Sequence, residues 1–83
     1  MSLSHDDKLV LLQHAIAKYD SENVLKEKLK EVLAAKDVER GIDTLIATQK
    51  VRRIGPDIIQ NNVSAMGELP ELPEHLKEIA EKL

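Results

Sequence analysis

The sequence predicts an all-α fold, a small bundle of four or five short antiparallel helices, on three observations. Leu, Ile and Val supply 25 of the 83 residues, about 30%, enough apolar surface for one core but not two. Apolar residues recur at three- and four-residue spacing in successive segments, and capping or breaking residues separate those segments at short intervals. The chain therefore reads as a single helical domain spanning 1–83.

The first helix begins after Ser4, where Asp7 three residues on completes a capping-box pattern. Leu9, Leu12, Ile16 and Tyr19 form its stripe, widened by Val10, Leu11 and Ala15. Asp20 and Ser21 offer the next N-cap. Leu25, Leu29, Val32 and Leu33 then make the buried face of a second helix, whose other side is Lys26, Glu27, Lys28, Lys30 and Glu31. So short a connection favours antiparallel packing.

Between Asp37 and Gly41 two boundaries compete. Gly41 fits a left-handed C-cap after Arg40, and Asp37 fits the N-cap of a new helix, which is the break favoured here. Val38, Ile42, Leu45 and Ile46 share one face, whereas Val51 and Ile54 fall away from it, so this helix ends, or changes partners, around residue 53. Gly55-Pro56 stops it, with Pro56 suited to the first turn of a fourth helix and Asp57 complementing that helix's dipole. The fourth helix would carry Ile59, Val63 and Met66, widened by Ile58, and end at Gly67. Two Leu-Pro steps make 68–73 a stiffened connector. Pro73 then opens a C-terminal helix with Leu72, Leu76, Ile79 and Leu83 on one stripe. No segment reads as a strand.

Composition narrows function. There is no cysteine, which removes disulfides and thiolate zinc sites and is in keeping with a cytoplasmic location. The longest apolar run, Leu9 to Leu12, is far short of a membrane span, and no signal segment opens the chain. Tyr19 is the only aromatic residue, so the core is aliphatic, and small aliphatic domains gain burial by pairing with a second chain, which keeps a homodimer in view. The net charge of −3 arises in the C-terminal part, where five Glu of residues 67–83 face only Lys77 and Lys82.

No constellation supports catalysis, a cofactor or a metal. His5 and its neighbours Asp6 and Asp7 do not share a helical face, and His14 and His75 lack an i+4 partner of ligand type. Gly41, Gly55 and Gly67 are too widely spaced for a phosphate loop, and the Ser, Thr and His residues are accounted for as caps, turns or solvated faces.

"QKVRRIGPDIIQNN", residues 49–62, holds the densest basic cluster, Lys50, Arg52 and Arg53. Its simplest role is at a helix C-terminus, where each cation would offset the dipole by about 0.3–1 kcal/mol. A second is a positive corner that docks an acidic surface, either the chain's own Glu-rich end or a partner. A nucleic-acid role at 50–53 is disfavoured: with Gly55 as the turn glycine of a helix-turn-helix, Asn61 falls at an apolar packing position, and with Gly41, Asp37 does. One tyrosine is also no platform for stacking bases.

The antiparallel amphipathic helices closing on "LPEHLKEIAEKL" are loosely similar to small bacteriocin-immunity bundles, in which a Pro-started C-terminal helix also closes the bundle; the sparse aromatics here depart from that family. The resemblance implies an immunity role as an alternative. The principal expectation is a non-enzymatic domain acting through protein-protein contacts, with Lys50, Arg52 and Arg53, and the stripe of Leu72, Leu76, Ile79 and Leu83, as candidate surfaces.

Overall fold

The structure, a computed structural model, describes residues 3–62, 64 and 69–83. It is a mixed α/β fold, so the all-α expectation is corrected: a two-stranded antiparallel sheet sits among four helices of the described residues. In chain order these are α1 (His5–Lys18), α2 (Glu22–Leu29), α3 (Ala35–Ala47), β1 (Val51–Arg53), β2 (Ile59–Asn61) and α4 (Glu74–Glu81).

Helix α1 starts as its sequence dictates. The Asp7 amide donates to Ser4 Oγ at 3.1 Å, and the Ser4 amide donates to Asp7 Oδ2 at 3.4 Å, satisfying two donors that a helix start otherwise leaves open. Ser21 caps α2, accepting from the Val24 amide at 3.4 Å. This helix ends at Leu29, earlier than its apolar stripe suggests. Leu33 is buried from the following turn, whereas Val32 is 38% exposed, so the two are not on one buried helical face.

Helix α3 begins beyond Ala34, with Asp37 in its first turn rather than at its N-cap, and it runs straight through Gly41. Gly41 is there for packing. A Cβ at this position would overlap Cδ1 of Leu12, so its absence lets α3 lie against α1. The helix stops at Ala47, well short of residue 53, because Gln49 takes a left-handed conformation with φ of 64° and its amide donates to Ile46 O at 3.0 Å.

The turn at Gly55-Pro56 therefore joins two strands, not two helices. Val51 pairs with Asn61, Arg52 with Gln60 and Arg53 with Ile59. Beyond the strands, the Ile54 amide donates to Ile58 O at 2.9 Å, and the Asn62 amide donates to Lys50 O at 2.9 Å. Ile59 lies in β2, contrary to the helix expected there; Val63, Met66 and Gly67 lie outside the described residues. An antiparallel bridge from Ser21 to Ile58 lines the α1–α2 junction along the free side of β2. The hairpin also ends the likeness to an all-helical immunity bundle.

One aliphatic core joins these pieces: Leu11, Leu12, Ala15 and Ile16 of α1, Leu25 and Leu29 of α2, Leu33, Val38, Ile42 and Leu45 around α3, and Val51 and Ile59 of the hairpin. Helix α4 lies on α1, with Leu76 fully buried and Ile79, Ala80 and Leu83 partly so. His14 Nε2 donates to Pro70 O at 2.7 Å, fixing the connector, and Lys18 Nζ donates to Leu83 O at 2.8 Å.

Candidate functional site

Successive strand residues face opposite sides of a sheet, and this alternation divides the basic cluster. Val51 and Ile59 turn inward and are 2% and 0% exposed. Lys50, Arg52 and Ile54 share the outer face, opposite Asn62, Gln60 and Ile58. Here Ile54 is 55% exposed and Ile58 36%, an apolar tip on a cationic base.

The three cations differ in what they do. Arg53 is structural: Nη2 donates to Glu22 Oε1 at 2.8 Å and Nη1 donates to Pro56 O at 3.4 Å, tying the hairpin to α2. The network continues through Lys26, whose Nζ lies 3.4 Å from Glu22 Oε2 and 2.7 Å from Glu39 Oε1. Glu39 first, then Glu22, holds the Lys26 ammonium above its ordinary pKa, and Lys26 in turn lowers that of Glu39. Lys50 and Arg52 are exposed and make no ion pair among the described residues. Arg52 and Arg53 lie in β1 and not in the last turn of a helix, which corrects the helix-end placement expected for them, whereas Lys50 follows α3 directly and its amide donates to Leu45 O at 2.8 Å.

Asp57 anchors the hairpin loop. Its carboxylate accepts from the Ser21 hydroxyl and, at 2.9 Å, from the Asn23 amide, and these bonds in that order hold its pKa below the usual carboxylate range. It thus complements the N-terminus of α2, not that of the fourth helix expected after Pro56. Glu22 N to Asp57 O at 2.9 Å and Ile59 N to Asp20 O at 2.8 Å complete the attachment.

The other candidate residues lie apart from this face. Leu72, Leu76, Ile79 and Leu83 are buried or half-buried, and the last three face their own chain's core, leaving the polar side of α4 to solvent. His75 Nε2 is 3.0 Å from Asp7 Oδ2, an interaction that lowers the Asp7 pKa. His5 borders a surface pocket of about 320 Å³ between α1 and α3, with Lys8 and Asp37 paired across it at 3.6 Å. Among the described residues no three His, Asp or Glu side chains gather as a metal site would require, and no helix is long and apolar enough to cross a membrane. Sequence reasoning missed Ile54, Ile58 and Gln60; β-branched residues on both sides of Gly-Pro-Asp were the available signal for a hairpin.

Helices α2 and α3 are joined by a short turn, residues 30–34, and the hairpin follows them, with Ile58 bridging back to Ser21 at the start of α2. No family model, curated protein or solved structure matches this chain.

Proposed function

We propose that this chain is a non-enzymatic, protein-binding domain that uses the outer face of its hairpin to hold a partner with acidic and apolar side chains. The observation that carries the reading is the contrast within the basic cluster. Arg53 is held by Glu22, whereas Lys50 and Arg52 stand unpaired among the described residues beside the exposed Ile54 and Ile58. Cations beside a compact apolar patch give an interface both an anchor and an orientation. The lack of cysteine goes with a cytoplasmic setting for that partner.

The order of elements favours nucleic-acid binding as a second reading, because helix-turn-helix domains present their second helix to the major groove. Fold alone does not assign function. Helix α3 exposes Lys36, Glu39, Arg40 and Asp43, and two carboxylates among four such side chains repel phosphate. That is why the protein-binding reading is preferred.

The test compares partner capture from the native host by the intact chain, by an Arg52→Glu, Ile54→Asp variant, and by Lys77→Glu on α4 as a control, with retained protein and nucleic acid both analysed. Loss of a specific protein with the hairpin variant alone supports the proposal. Retention of nucleic acid in a steeply salt-dependent manner supports the second reading instead.

A further inference from the structure

The outer side of α4 supplies a surface that fits the hairpin, and it belongs to this chain. At about 100° per helical residue, Leu76, Ile79, Ala80 and Leu83 lie together on the docked side, whereas Glu74, Glu78 and Glu81 fall within about 60° of one another on the opposite side. Lys77 and Lys82 flank this acidic ridge. The intrachain docking of α4 through its apolar side turns the ridge outward, and no ion pair joins it to Lys50 or Arg52 of the same chain.

We infer that the occupant of the hairpin's outer face is a second copy of this chain. Lys50 and Arg52 of one protomer meet Glu78 and Glu81 of the other while Ile54 and Ile58 cover the aliphatic stems between them. This rests on the protein-binding reading and names its partner. Lys50 and Arg52, two apart on an extended segment, are separated by about 6.7 Å, and Glu78 and Glu81, three apart on the helix, by about 4.5 Å along its axis, a difference of about 2 Å that long Lys and Arg side chains span. A two-fold axis makes the contact twice, since each protomer carries both the basic hairpin and the acidic ridge. The two contacts together bury both exposed isoleucines of each copy and neutralise the two unpaired hairpin cations.

The assay is sedimentation of the full chain with two charge reversals, Lys50→Glu with Arg52→Glu on the hairpin, and Glu78→Lys with Glu81→Lys on α4. Helical circular dichroism confirms that each variant folds. The intact protein is expected to form dimers that weaken as salt rises, and each reversal alone should weaken them at least about tenfold, because like charges then face each other. An equimolar mixture of the two variants should dimerise again, since one contact is then native and the other has both signs inverted.

A monomer at the highest soluble concentration, a dimer indifferent to either reversal, or a mixture that fails to reassociate overturns the inference. The protein-binding reading fails separately: a photo-crosslinking residue in place of Ile54 that joins to no protein in the native host removes it as well. If that probe instead joins to a different protein, only the second-copy occupant is overturned.

Discussion

Replacing Gly41 with Ala tests the closest helix contact in the core. Gly to Ala in a helix interior ordinarily stabilises by about 1 kcal/mol. Here the new methyl would overlap Cδ1 of Leu12, a fully buried side chain that must then shift within the core. Overpacking of that kind costs about 1–3 kcal/mol, so the net effect is a loss of up to about 2 kcal/mol. That is a substantial part of the roughly 4–12 kcal/mol available to a domain of this length.

The decisive comparison is a double-mutant cycle with Leu12→Ala. Alone, Leu12→Ala opens a cavity and costs about 2–5 kcal/mol. In that background Gly41→Ala enters empty space and recovers its helix preference, so it becomes stabilising by about 1 kcal/mol, with a coupling of about 1–3 kcal/mol between the sites. Urea unfolding followed by circular dichroism measures all four proteins. If Gly41→Ala stabilises the otherwise unchanged chain, α1 and α3 are not packed this closely. If it destabilises equally in both backgrounds, Gly41 serves backbone conformation, as a C-cap would, and the reasoning is refuted.

Three further outcomes are expected. Ser21→Ala should cost about 1 kcal/mol through the lost α2 cap, with faster amide exchange at Ile58 and Ile59 because Ser21 also binds Asp57; unchanged exchange would separate the cap from the hairpin. Gln49→Gly should raise stability by about 0.5–1 kcal/mol by relieving its positive φ, and a lower melting temperature would contradict that assignment. The pH dependence has two limbs. Asp7, Glu39 and Asp57 have folded pKa values lowered from 3.8, 4.5 and 3.8, so their stabilisation is complete above those values and is lost as pH falls through the folded ones. Lys26 is raised from 10.5, so its contribution is present below that value and lost as pH rises through the folded one. Glu39→Gln should flatten both limbs, and thermal melts across pH show whether it does.

Local chemistry was legible where it acted locally. Ser4 and Asp7 close their capping box within one turn, and the α4 stripe needs only a neighbour to bury it. The second half of the chain depends on distant partners. Nothing adjacent to Gln49 announces a left-handed residue, because the usual glycine is absent; the Asn62 side chain donates to its carbonyl at 3.0 Å from across the hairpin. Spacing puts Asp57 at the start of a helix opened by Pro56, but no such helix forms there, and its carboxylate instead accepts from the Asn23 amide at the N-terminus of α2, more than thirty residues earlier. The basic cluster stood out in the sequence, yet only strand alternation and Glu22 separate the structural Arg53 from the available Lys50 and Arg52. Leu33 likewise fits a helical stripe by spacing and reaches the same core from a turn.

The most direct test of the central claim places a photo-crosslinking residue at position 54, on the hairpin tip, and separately at position 43, on the exposed side of α3, in the native host. The account predicts crosslinks to protein from position 54 and few from position 43. Crosslinks to nucleic acid from position 43, with none to protein from position 54, would contradict it and make α3 the functional surface.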